Sequence, residues 1–181
     1  QRALPGDALT NEIEADFDEW WAWDARGSGV GATVTDEAWK LFDERLGKCA
    51  AAATEGWRRD PLSPQCACSM IAVVQGLSQG DEVMEKWFRR ATLADPDYLN
   101  AYSRKAYYLA PQWHGDRTQA LEFGRACVKE GNGRNRIPMV LVEVWKNLVE
   151  QSDHPDAVLR RPEAWSDIRS VYEKLLADRT R

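Results

Sequence analysis

The residues best suited to metal binding or nucleophilic chemistry are two histidines and four cysteines, and their spacing supports neither. Cys66 and Cys68 are two positions apart, so on a helix their side chains diverge by about 200°. A four-ligand zinc site needs convergent donors, usually at paired spacings. Neither His114 nor His154 has a cysteine or a second histidine three or four residues away. Cys127 follows His114 by thirteen residues and is expected to face inward, so no nucleophile and base pair up. Gly27-Ser28-Gly29-Val30-Gly31 has the glycine density of a phosphate loop. Such loops follow a buried strand and open a helix. Here the preceding segment is helical and no Walker lysine follows, so the run reads as a helix C-cap and connection. Glu143, inside Val142-Glu143-Val144, is the one acid in an apolar setting of the kind a helical muramidase-type enzyme would need. An exposed or ion-paired glutamate on a helix edge is the simpler reading. No catalytic residue, metal or cofactor is therefore expected.

Composition narrows the partners. The net charge is −5 with acids and bases interspersed, and no basic stripe marks a nucleic-acid surface. No apolar run approaches the roughly 18 residues of a membrane span. The chain begins at Gln1, so removal of an upstream segment is expected, and cytoplasmic and exported locations both stay open. Four cysteines are too few for a disulfide scaffold. They read as core thiols, with one interhelical disulfide as the alternative. Nine tryptophans read as staples between packed helices, or else as a ligand-facing surface.

The elements that must position these residues are helices. Proline and glycine divide the chain into about eight segments, and alternating β-branched runs are missing. Over 10–25, Ile13, Phe17, Trp20 and Trp21 share one face, with Glu12, Glu14, Asp16, Asp18 and Glu19 forming a solvated acidic side. Thr35 is an N-cap for a helix running to about Arg59. Pro64 opens the next, with Met70, Ile71, Val74 and Leu77 on its apolar side. Asp81 caps a helix with a Met84, Trp87, Phe88 and Ala91 stripe. Tyr98, Tyr102, Ala106 and Leu109 form the following face. Asp116 with Gln119 resembles a capping box, and Gly131-Asn132-Gly133 ends that helix. Residues 137–149 are apolar almost all round, as for a helix sandwiched between neighbours. Pro162 starts the last helix, with Trp165, Ile168, Tyr172 and Leu175 inward.

Two Asp-Pro dipeptides, Asp60-Pro61 and Asp95-Pro96, lie 35 residues apart, close to the 34-residue tetratricopeptide period. That pattern places a small residue, an aromatic four later, a small residue three further and a proline five beyond. Met84, Phe88, Ala91 and Pro96 have this spacing, with Met for the usual alanine. Cys49, Ala53, Gly56 and Pro61 keep the spacing without the aromatic. Tyr102 and Ala106 occupy the bulky and small positions of the next helix. The fold class is thus all-α, a tetratricopeptide-like helical repeat (an α-α superhelix or solenoid) of about eight helices. It is read as one domain over 1–181: N-terminal helices at 10–60, tetratricopeptide-like pairs at 61–133 and C-terminal capping helices at 134–181.

The chain also resembles a bacterial family of tetratricopeptide-like domains of unknown function. The resemblance rests on Trp23–Gly29, Glu85–Ala91, Asp95–Tyr98, Tyr107–Gly115 and Trp165–Glu173, with the Trp113 turn its most specific piece. It implies the fold and carries over no catalytic residues.

The expected function is non-catalytic binding of a protein or peptide segment, by analogy with the concave surfaces of helical solenoids. Tyr107, Tyr108, Trp113 and His114 are the candidate binding residues. Trp113-His114-Gly115 is expected to fix a turn, with tryptophan packing and glycine relieving strain. The alternatives are a small-ligand or enzyme pocket near Trp113, His114 and Glu143, and a structural, self-associating subunit. The oligomeric state is left open.

Overall fold

The computed structural model describes residues 7–29, 31–131 and 135–177; Val30 of the glycine-rich run, and Asn132 and Gly133 of the helix-ending one, lie outside them. The described residues contain helices and no strand. The chain divides into two compact units, Gln1–Pro96 and Asp97–Arg181. The first holds α1 (Ala8–Arg26), α2 (Asp36–Arg59), α3 (Pro64–Gly76) and α4 (Asp81–Ala94), with a short 3-10 turn at Gly31–Thr33. The second holds α5 (Leu99–Tyr108), α6 (Arg117–Glu130), a 3-10 turn at Ile137–Met139, α7 (Val140–Glu150), α8 (Pro155–Leu159) and α9 (Pro162–Ala177).

Local chemistry sets the helix ends. The Thr35 hydroxyl accepts from the Ala38 N–H at 3.2 Å. Asp116 accepts from the Gln119 N–H at 2.9 Å while the Gln119 side chain accepts from the Asp116 N–H at 3.0 Å, a closed capping box. Pro64 and Pro162 stand at first helical positions, where the missing N–H costs nothing. Both Asp-Pro dipeptides follow a helix end, after Arg59 and after Ala94. Gly27 takes φ +72° to close α1, and the Arg26 guanidinium donates to the Gly27 and Gly29 carbonyls at 3.1 Å each. The glycine run is thus a cap stitched to its own helix.

In the first unit α1 lies along α2, and α3 packs on α1, α2 and α4. Residues Cys66–Gln75 of α3 are buried on every side, rather than along one stripe. A β-carbon on Gly76 would collide with the Leu46 side chain, so α2 and α3 approach closely there. In the second unit α7 is central and touches α5, α6, α8 and α9. A β-carbon on Gly124 would sit 3.1 Å from the Leu141 Cα, which measures how tightly α6 meets α7.

The expected faces of three helices are corrected. On α1 the buried residues are Ala15, Asp18 and Ala22, whereas Ile13, Phe17 and Trp20 are exposed. Ala15 and Ala22 are buried small residues on a helix that lies along α2, a β-carbon on Gly56 of α2 would sit 3.0 Å from the Asn11 β-carbon of α1, and Asp18 goes inward with the two alanines. On α9 Ala164, Asp167 and Val171 are buried, while Trp165 and Tyr172 are exposed. On α4 Trp87 is buried, in edge contact with Trp57 at 5.7 Å, and Phe88 is only half-buried. Of the nine tryptophans, Trp87 and Trp145 alone are buried. Several others lie half-buried under cations: Arg45 over Trp21 at 3.9 Å, Arg26 over Trp39 at 5.1 Å and Arg90 over Trp57 at 3.7 Å. Stacking of this kind covers an indole face without desolvating the whole ring.

Candidate binding groove

Tyr107 and Tyr108 are consecutive on α5, so their side chains leave the helix about 100° apart. Tyr108 is fully buried and its ring lies 4.6 Å from the His114 ring. Tyr107 is 43 % exposed and meets Trp113 edge-on at 5.9 Å. The turn after α5 brings these pairs together. The Trp113 N–H donates to the Ala110 carbonyl at 2.9 Å and the His114 N–H to the Tyr108 carbonyl at 3.1 Å. Gly115 then passes so near the Leu109 carbonyl that any β-carbon would overlap it, the Leu109 carbonyl carbon itself being 2.7 Å away. Glycine is therefore required by close backbone approach, and the turn sets Trp113 against Tyr107.

Beside Tyr107 a cavity of about 240 Å³ opens between α5 and α7. Ala106, Ala110 and Ala120 lie along it, and their small side chains leave the space that larger residues would fill. Val144 and Leu148 of α7 supply the apolar floor. Glu143, Lys146, Asn147 and Glu150 form a polar rim along one edge of α7. Lys146 lies 3.6 Å from Glu150, and the Gln112 amide donates to the Asn147 side chain at 3.1 Å. Glu143 is exposed rather than enclosed by apolar walls.

Of the residues singled out by type, Tyr107 and Glu143 line the cavity, whereas Tyr108, Trp113 and His114 do not. Tyr108 is spent on packing, and Trp113 and His114 act through the turn. Ser103, Asn147 and Glu150 were not singled out, although the small Ala106 and Ala110 beside an exposed tyrosine are a readable signal of a gap.

Behind the groove, Asp167 of α9 joins α6 and α7. Arg125 grips its carboxylate with two nitrogens at 2.9 Å, and the Trp145 indole donates to it at 3.0 Å. The pairing raises the Arg125 pKa, the hydrogen bond to Asp167 being the largest cause.

All four cysteines are buried. Burial pushes the thiols of Cys66 and Cys127 up to about 12. Thiolates are the reactive form, so burial disfavours reaction of these two at neutral pH. Among the described residues no group of three or more histidine, cysteine, aspartate or glutamate side chains is placed to hold a metal ion, and no helix is long and apolar enough to cross a membrane. The chain matches no family model, no curated protein and no solved structure.

Proposed function

We propose that the chain is a non-catalytic binding module of tetratricopeptide-like helix pairs, and that the groove between α5 and α7 takes one anchoring side chain of a protein or peptide segment. The observation that carries this reading is the exposed Tyr107 at the mouth of an apolar cavity of about 240 Å³. That volume lies below the roughly 300–1,000 Å³ of sites that enclose a small molecule, and it suits a single large side chain. The polar rim offers two carboxylates and one ammonium group, so an apolar anchor followed by a cationic residue fits best. Tyrosine favours such a role because it presents a large rigid ring at low entropic cost. The repeat reading is supported by the Asp-Pro stops at both helix ends and by the burial of Met84 and Ala91 on α4. In the groove Glu143 is exposed and His114 does not line the cavity, an arrangement that favours binding over acid–base chemistry in this reading.

Selection of displayed random peptides against the whole chain tests the proposal. Enriched peptides should share an apolar anchor, and Tyr107→Ala or Val144→Arg should weaken them at least about tenfold. Peptides indifferent to both changes would remove the groove from the account. Conversion of a small molecule that disappears with Glu143→Gln would replace binding by catalysis.

A further inference from the structure

On α1 the side chains of Leu9, Ile13, Phe17 and Trp20 are 58 %, 62 %, 55 % and 64 % exposed. Spacings of four, four and three place them in one row down the helix. Phe17 lies 6.3 Å from Trp20 and stacks on Trp21 at 5.9 Å, so the aromatic part is continuous. One exposed apolar residue is ordinary, but a row of four on a helix whose opposite face is already buried is an interaction surface.

The borders of the row carry one sign of charge. Glu14, Asp16 and Asp24 are exposed along it, and α1 has no lysine or arginine before Arg26. On the α2 side Arg45 and Lys48 come near, but both cations lie over the Trp21 ring, at 3.9 and 5.2 Å, and Lys48 also pairs with Glu44 at 3.0 Å. On the α3 side the neutral Gln65 amide donates to Asp16 at 2.7 Å, and the Ser63 hydroxyl donates to Glu12. The rim therefore presents net negative charge around an apolar ridge.

We propose that this ridge docks an amphipathic helix of a partner protein whose own apolar stripe is flanked by lysine or arginine. Charge complementarity selects this occupant. A second copy would set one acidic α1 against another, and like charges facing each other across an interface oppose association. An anionic membrane prefers amphipathic helices with basic polar faces, the reverse of this one. The proposal does not rest on the α5–α7 groove.

The test uses the whole chain and two labelled synthetic helices of about five turns, identical in their leucine and tryptophan stripe, one flanked by lysine and one by glutamate. Fluorescence anisotropy should show the lysine helix binding at least about tenfold tighter, with the difference shrinking as salt rises. The double variant Phe17→Ser with Trp20→Ser should abolish binding while cooperative unfolding is kept, the thermal midpoint falling only by the few degrees that loss of the Phe17 contacts with Trp20 and Trp21 implies. Glu14→Lys with Asp24→Lys should reverse the preference toward the glutamate helix. Tyr107→Ala, which is expected to weaken the groove, should leave the affinity for the lysine helix as it is. Equal binding of both helices, binding of neither, or binding lost with Tyr107→Ala would overturn the proposal. So would self-association in sedimentation that Trp20→Ser abolishes, or partition onto phosphatidylcholine–phosphatidylserine vesicles that the Phe17 and Trp20 variant abolishes.

Discussion

The indole of Trp145, in the middle of α7, donates a 3.0 Å hydrogen bond to the carboxylate of Asp167 on α9, and both residues are buried. This contact orients α9. Because Asp167 must face inward to reach both the indole and Arg125, Trp165 two positions earlier points to the outside. A buried polar group with partners thus outranks a large apolar one in deciding which face of a helix is covered.

Asp167→Ala should be markedly destabilising. It orphans the buried Trp145 N–H, a loss worth about 1–3 kcal/mol, and also releases Arg125. Trp165→Ala, on the exposed side, should stay within about 0.5 kcal/mol of the parent. Arg125→Lys should fall between them, because an ammonium group cannot reproduce the two-nitrogen grip. Urea midpoints of the three variants check the order, and equal effects of Asp167→Ala and Trp165→Ala would show that α9 is rotated.

Two glycines should reject even alanine. Gly124→Ala would press on the Leu141 backbone, and Gly115→Ala on the Leu109 carbonyl. Each is expected to cost about 1–3 kcal/mol by overpacking. Gly47, with open space around its position, is the control, and Gly47→Ala should stabilise α2 slightly. Thermal midpoints of the three variants provide the comparison.

Two carboxylates should give opposite pH signatures. Burial raises the pKa of Asp18, with the nearby Glu14 adding to the rise and Lys48 opposing it. The folded chain then binds the proton more tightly than the unfolded chain, so Asp18 lowers stability as pH rises through its raised pKa. Asp18→Asn should accordingly stabilise at pH 7, with the gain fading as pH falls to the ordinary aspartate value of 3.8. Hydrogen bonds from Arg58, then Arg59, hold Glu55 down to about 2, so its contribution is present at neutral pH and lost as pH falls from 4.5 toward 2. Glu55→Gln should therefore destabilise at pH 7 and converge on the parent near pH 2. Unfolding curves across this range check both signs.

All four thiols should resist an aromatic disulfide reagent in the native state and react together on unfolding. Their burial motivates this, together with the raised pKa of Cys66 and Cys127. Stoichiometric labelling of the folded chain would show that a thiol is open to solvent.

Helix identity and helix ends were legible in the sequence because they depend on chemistry within one turn. The Thr35 cap, the Asp116–Gln119 box, the prolines at 64 and 162 and the stops at Asp60 and Asp95 all act where their residue types indicate. The all-round apolar run ending in α7 likewise announced a central helix. The gap beside Tyr107 left only a faint trace, in alanines whose smallness matters once α7 lies opposite them.

Which face each helix buries was decided by tertiary packing. A periodicity reading ranks residues by apolar size, so on α1 it follows Ile13, Phe17 and Trp20, and on α9 Trp165 and Tyr172. Close approach of two helices selects small residues instead, and Ala15 and Ala22 on α1 and Ala164 on α9 are the ones buried. The large side chains are thereby left on the outside. The acidic apolar ridge of α1 exists because α2 accepted its alanine face, a choice that depends on residues more than twenty positions away in the chain.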